Sequence, residues 1–271
     1  MATRQHYLSK GIIKNFITQD NETFLEYNCE LKTSKMKNID NLFAKFRSWD
    51  PWFEVELSRQ FENELAPVVK KYAQIEIEQS SLSIDGKNIT VYPMSGYQIQ
   101  SLKDREIISS LIYQQILIQL SKRSHRSGVP DEKIITLFSR RKSLFMYPAI
   151  FEINPLIIKE PLIITDGMPF LFAAPAKDSA KLCKICFMFP ISETRFFIWG
   201  SKEDCDFFVR KFWNITYLNL CRIEQQDKKC GIASQNFEYL NKLIPLIDCF
   251  NSGEQIKIES IRDIEQLSMH A

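Results

Sequence analysis

The sequence predicts an α+β fold: a helix-rich N-terminal half packed with a mainly antiparallel sheet and flanking helices in the C-terminal half. Three observations carry that expectation. Apolar residues recur at helical spacing over long stretches before Tyr147. From Pro161 onward they come in short β-branched and aromatic runs broken by turn residues. The two patterns are segregated along the chain, not alternated as in a βαβ succession. At 271 residues the chain suits one large domain. We read a single domain over residues 1–271, with a helical part over about 30–150 and a strand-rich part over about 151–271.

The elements follow in order. Ile12, Ile13, Phe16 and Ile17 mark a short helical or turn segment. Thr23 to Asn28 alternates enough to be a strand, and Asp40 to Trp49 reads as a short helix. Phe53 to Ile75 is an amphipathic helix, because Leu57, Phe61, Leu65, Val68 and Tyr72 fall on one face. Pro67 marks a kink or a break in it. Asp85-Gly86 between two alternating runs predicts a hairpin over Leu82 to Val91. A second helix spans about Leu102 to Arg123 and stops at Ser127-Gly128-Val129-Pro130. Asp131 is the N-cap of a third, through Tyr147.

In the second half, Pro161 to Thr165 and Phe170 to Phe172 read as strands. Leu182 to Phe189 and Arg195 to Trp199 form an antiparallel pair joined by Pro190 to Thr194. Ser201-Lys202-Glu203-Asp204 resembles a capping box with Asp in place of Glu or Gln. It opens a helix to roughly Arg222, with Phe208, Phe212, Ile215 and Leu218 inward. From Phe237 the chain is helix, followed by a strand or a helix.

Composition excludes several classes of function. A net charge of +2 is too small for a global nucleic-acid or anionic-membrane binder. Only 8 glycines argue against a glycine-rich nucleotide-binding architecture. The longest apolar runs, such as Pro155-Leu156-Ile157-Ile158, fall far short of a membrane span. The first residues lack the apolar centre of a signal peptide. The expected setting is cytoplasmic, with no membrane partner. Cys29, Cys183, Cys186, Cys205, Cys221, Cys230 and Cys249 are odd in number and scattered, which fits reduced thiols.

The residues with chemical potential are few. His6 is one of 3 histidines, and histidine exchanges protons most readily near neutral pH. As a general base it needs an orienting acceptor; a packed, hydrogen-bonded histidine is the commoner outcome. Asp166 closes an apolar strand before Gly167, a frequent place for a catalytic or metal-binding acid. A turn Asp bonded to local backbone N–H groups is its plainer reading. Glu54, Glu56, Glu62 and Glu64 crowd one helix, and Glu62 sits beside the apolar stripe. Their commoner role is a solvated acidic face paired with Lys70 and Lys71.

Cys183-Lys184-Ile185-Cys186 lacks the second ligand pair of a zinc site and lies inside a strand run, so it reads as core packing. Lys122, Arg123, Arg126, Lys133, Arg140, Arg141 and Lys142 are opposed only by Asp131 and Glu132, with His125 among them. This stretch could grip phosphates, although a solvated helix face is its base-rate role. No P-loop, H-E-x-x-H or G-x-S-x-G sequence is present.

An ordered set of segments carries a resemblance: Gln5-His6-Tyr7 followed by Asn15-Phe16, then Phe61-Glu62 through Ala66-Pro67. Gln119 with Lys122, Thr165-Asp166-Gly167-Met168-Pro169, Pro190-Ile191-Ser192 and the region of Asn214 complete it. Together these resemble the uncharacterised, mainly bacterial family catalogued as domain of unknown function 4238. The chain departs from that pattern at Leu8-Ser9, where the family has Val-Pro, and at Gly167, where it has Asn. Its Pro is displaced by one position. The resemblance implies that His6, Glu62, Asp166 and Gln119 fall where the family's recurring polar residues fall, and so share a site.

The resulting expectation is a nuclease-like hydrolase of nucleic acid, a toxin or antiviral effector. His6, Asp166 and Glu62 are its catalytic residues. Gln5, Tyr7, Gln119, Lys122, Arg123, Arg126, Arg140 and Arg141 bind the substrate. Histidine with carboxylates serves either hydrolysis assisted by a divalent metal ion or metal-free transfer; the residues leave that choice and the metal ligands open. The alternative is a non-enzymatic protein-binding or sensor module of a bacterial defence or accessory system. Its partner would be a protein, not nucleic acid. The sequence leaves the oligomeric state open.

Overall fold

Two antiparallel sheets organise the chain in the computed structural model. It describes residues 4–6, 10–18, 22–46, 63–76, 80–84, 87–91, 97–110, 112, 148–152, 160–166, 170–175, 183–209, 215–224 and 230–252. The strands of the first half are β1 (Arg4–His6), β2 (Thr23–Asn28), β3 (Thr33–Asn38), β4 (Ala44–Phe46), β5 (Ser80–Ile84), β6 (Lys87–Val91) and β7 (Tyr97–Gln98). The helices among them are α1 (Lys10–Ile13), α2 (Asn63–Gln74) and α3 (residues 102–110). The second half holds β8 (Pro148–Glu152), β9 (Ile164–Thr165), β10 (Phe170–Pro175), β11 (Cys183–Pro190), β12 (Arg195–Gly200) and β13 (Gly231–Ser234). Its helices are α4 (Lys202–Val209), α5 (Ile215–Glu224) and α6 (Phe237–Ser252).

The larger sheet has the order β10-β11-β12-β8-β7, and the smaller the order β3-β2-β13-β9. Every pairing in both is antiparallel. Two short pairs, β1-β4 and β5-β6, stand apart from them. The α+β class is therefore the observed one.

Strands β2, β13 and β9 of the smaller sheet are buried on both faces, and the pleat sorts their residues between two cores. Phe24, Ile164 and Ala233 join Phe196, Phe197 and Met188 of the larger sheet and Leu65, Val69 and Tyr72 of α2. Leu25, Tyr27, Ile163 and Ile232 turn the other way, onto Leu220 and Ile223 of α5 and Tyr239, Leu240 and Leu243 of α6. Each such fully buried side chain contributes about 1.5–3 kcal/mol. The Tyr27 hydroxyl also donates to Asp248 at 2.5 Å, which ties β2 to α6. The edge strand β3 is exposed along most of its length and carries Lys35 and Lys37. Such charges discourage pairing with another chain.

Several expectations hold. Ile12, Ile13 and Phe16 are buried in the first helical turns, and Leu65, Val68 and Tyr72 form the buried stripe of α2. Pro67 lies inside that helix instead of breaking it. Ile84 faces Lys87 across the β5-β6 hairpin. Strands β11 and β12 pair as expected, and the Ile191 N–H donates to Arg195 O within their connection. The Asp204 N–H donates to Ser201 Oγ at 3.2 Å, so Ser201 caps α4. The helix read from Ser201 to Arg222 is described as α4 and α5, with 210–214 outside the described residues. The third helix and the stretch 53–62 also lie outside them.

The helix expected over Asp40 to Trp49 is not formed over residues 40–46, and 47–49 lie outside the described residues. Residues 39–43 form turns and Ala44–Phe46 is a strand. Helical continuation fails at Phe43, whose φ of 52 is left-handed. The next residues find their partners in Arg4–His6. The strand read over Pro161 to Thr165 is ordered as strand only at Ile164–Thr165. Among the described residues, no helix is long and apolar enough to cross a membrane.

Candidate functional site

Asp166 marks one corner of the smaller sheet. Thr165 faces Ile232 and Ile164 faces Ala233. One step further, the Asp166 N–H donates to Gly231 O at 3.0 Å, which continues the ladder. On the other side of β13, Gly231 faces Asn28 and Ala233 faces Glu26. Opposed residues share a sheet face, as does every second residue of a strand. Asp166, Gly231 and Asn28 therefore form one row, and Ile164, Ala233 and Glu26 form the next row on the same face. Two carboxylates flank β13 on that face, both buried: Glu26 is 8% exposed and Asp166 9%.

Gly231 is glycine because another ring occupies the space of a side chain. A Cβ there would meet the Phe43 ring at 3.0 and 3.1 Å, with the Glu26 Cδ at 3.9 Å. Glu26 fixes this arrangement with both oxygens. Its Oε2 accepts the Phe43 N–H at 3.1 Å and its Oε1 accepts from Lys37 Nζ at 2.7 Å. The residue after Phe43 is Ala44, which pairs with His6, while Lys45 pairs with Gln5. The strand that carries Gln5 and His6 is thus joined through Phe43 and Gly231 to the strand end that carries Asp166. Tyr7, Glu62, Gln119, Lys122, Arg123, Arg126, Arg140 and Arg141 lie outside the described residues.

Sequence reading missed Glu26 and β13. Its one signal for Glu26 is a lone acid inside the otherwise apolar run Phe24-Leu25-Glu26-Tyr27. It also missed a buried polar cluster that positions the residues leading into β9. Arg222 is fully buried at 0% exposure. Its guanidinium donates to Asn219 Oδ1 and to Ile163 O, both at 2.9 Å, and stacks 4.5 Å from the centre of the Phe170 ring. Burial pulls Arg222 down to about 9, so it remains a cation at neutral pH. Asn219 Nδ2 donates to Pro161 O at 2.9 Å and to the Tyr239 hydroxyl at 3.0 Å. The Ile163 N–H returns a bond to Asn219 Oδ1 at 3.3 Å. The Tyr239 hydroxyl lies 3.2 Å from Thr216 Oγ1. Helices α5 and α6 thereby hold 161–163, three residues before Asp166. The signal was present in sequence: Ile215, Leu218 and Arg222 share one helical face.

Among the described residues, no group of three or more His, Cys, Asp or Glu could hold a metal ion. Asp166 and Glu26 alone do not form a metal centre, and further ligands would have to join them. Cys183 and Cys186 both lie on β11, three residues apart. Cys186 is buried in the larger core and burial pushes its thiol well up, as core packing requires. Comparison with family models, with curated proteins and with solved structures finds no match to this chain.

Proposed function

We propose that this chain is a hydrolase of phosphodiester bonds with nucleic acid as its substrate. The observation that supports the reading is the meeting of two distant segments at one corner. Strand β1, with His6, pairs with β4 directly after Phe43, and Phe43 rests on Gly231, whose carbonyl receives the Asp166 N–H. In this reading His6 is the base, and Asp166 orients it and stabilises its charged form. Glu62 is a second acid, and Lys122, Arg123, Arg126, Arg140 and Arg141 grip phosphates with Gln5, Tyr7 and Gln119. A divalent metal ion, if one is used, would take the carboxylates as ligands and polarise a phosphoryl oxygen. Membership of the family catalogued as domain of unknown function 4238 is part of the same proposal and rests on the residues quoted for it. The setting is cytoplasmic, as a toxin-like or antiviral effector.

The test is direct. Purified protein is incubated with DNA and with RNA under magnesium, manganese or chelator. Cleavage that His6→Ala abolishes, with an unchanged circular dichroism spectrum, supports the reading. Intact substrate under every condition, or equal cutting by the variant, overturns it.

A second reading has its own observation. Asp166 and Glu26, the two carboxylates of this corner, are buried, and Glu26 already accepts from Lys37 and Phe43. That arrangement favours a non-enzymatic protein-binding or sensor module, in which these groups hold the corner together. One tight protein partner in a pull-down, with no turnover of nucleic acid, would select it.

A further inference from the structure

Cys29 and Cys230 are in contact: the Cys230 thiol donates to Cys29 Sγ at 3.5 Å, across a separation of 201 residues. Their placement follows from the sheet. Asn28 faces Gly231, so the next residues outward, Cys29 and Cys230, face each other. The Cys29 N–H donates to Cys230 O at 3.1 Å and makes them the last rung of the β2-β13 ladder. Opposed residues of a hydrogen-bonded antiparallel rung have Cα atoms about 5.5 Å apart, inside the range of roughly 4.4–6.8 Å that a disulfide spans. Both side chains face the core under α5 and α6, and each is 4% exposed. The two sulfurs stand 3.5 Å apart, and bonding at roughly 2.05 Å draws together the two Cβ atoms of this wide, hydrogen-bonded rung at the end of the ladder.

We propose that Cys29 and Cys230 form a reversible disulfide when the protein meets an oxidant of the hydroperoxide class. The burial selects a small oxidant. The rung lies at the strand end, where β2 gives way to the turn residues 29–32, so opening it exposes a thiol while the rest of the sheet stays paired. One thiolate attacks the peroxide oxygen, becomes a sulfenic acid and releases hydroxide. The second thiol then attacks that sulfur, forms the S–S bond and releases water. In sum two thiols are oxidised by two electrons and one hydroperoxide is reduced, with both thiol protons ending on the released oxygens. The bridge fastens β2 to β13, the strands that carry Glu26 and Gly231. It also closes a long loop, which restricts the unfolded chain far more than the folded one. This inference is independent of the hydrolase reading.

The experiment treats the full chain with hydrogen peroxide, alkylates the remaining thiols and maps the peptides without reduction. The expected result is a linked Cys29–Cys230 peptide, with neither of these two thiols alkylated. The melting midpoint should rise by roughly 5–10 °C and return after dithiothreitol. Cys29→Ala and Cys230→Ala should each abolish the rise. Cys221 and Cys249 are partly exposed and report whether the oxidant acted. Oxidation at those two without the Cys29–Cys230 peptide overturns the proposal, as does a linked peptide that pairs either cysteine with a different one. Where an alanine variant fails to fold, the map of the unaltered protein decides alone.

Discussion

Glu26 accepts the backbone N–H of Phe43 at 3.1 Å, and Phe43 holds a left-handed φ of 52 at that point. The two facts belong together. A non-glycine residue in this conformation costs on the order of 1–3 kcal/mol and persists only where its surroundings fix it. Here a buried carboxylate on β2 fixes the turn from one side, and the close seat of the ring on Gly231 fixes it from the other.

Glu26→Ala should therefore destabilise the protein by roughly 1–3 kcal/mol, because it leaves the Phe43 N–H buried without its acceptor. Glu26→Gln keeps one acceptor oxygen but sets an amide against Lys37, so its loss should be smaller. Urea unfolding of the three proteins checks the order. Equal stability of Glu26→Ala and the unaltered chain would show that the turn is held by other contacts.

Asn219→Ala should cost more, roughly 2–4 kcal/mol, since one side chain serves several buried partners at once. Arg222 Nη1 loses its acceptor, and Pro161 O and the Tyr239 hydroxyl lose a donor. A fully buried cation left short of an acceptor is the expensive part. Because 161–163 lead into β9, amide exchange should quicken at Ile163 and Ile164 before it quickens in the larger sheet. Uniform exchange across both sheets would count against this cluster as the anchor of that strand.

What the sequence disclosed follows from how locally each element is specified. The β5-β6 pair is signalled by the Asp85-Gly86 dipeptide in the sequence between its strands, and α4 carries its own cap, Ser201. Both are decided within a few residues and were readable. Strand β13 is four residues long, holds a glycine, an alanine and a serine, and is buried at every position. It has neither alternation nor length, and becomes a strand only because β2 and β9 pair with it from afar. Asp40 to Trp49 misled for the opposite reason. Its local pattern suits a helix, while Glu26 and the β1 strand, both distant in sequence, impose a turn and an extended segment. Asp166 reads locally as a strand-ending acid, but its row with Gly231 requires the register of β13.

Glu193 should give stability a pH dependence of its own. It sits in the connection between β11 and β12, where its backbone carbonyl accepts the Leu162 N–H at 2.7 Å. Burial pushes its carboxyl up to about 7, from an ordinary 4.5. The folded state then binds the proton more tightly than the unfolded chain. This contribution is fully present below the ordinary carboxylate range and is lost as pH rises through about 7. Melting midpoints across that interval should fall with rising pH, and Glu193→Gln should flatten the slope. Parallel slopes for the two proteins would assign the dependence to other groups.

Asp166→Asn separates a chemical role of this acid from a structural one most cleanly. The substitution keeps the size of the side chain, and the backbone N–H that bonds Gly231 O is untouched. The melting midpoint of the variant reports what the buried side chain itself contributes to the fold. If Asp166 orients a catalytic base, removing its charge should lower the cleavage rate on a labelled oligonucleotide by roughly 10²–10⁴-fold. If the acid only holds the corner together, cleavage by the variant should match that of the unaltered protein. The midpoint must be read beside the rate, since a fall in both would report lost structure and only a fall in rate with the midpoint held assigns Asp166 to the chemistry.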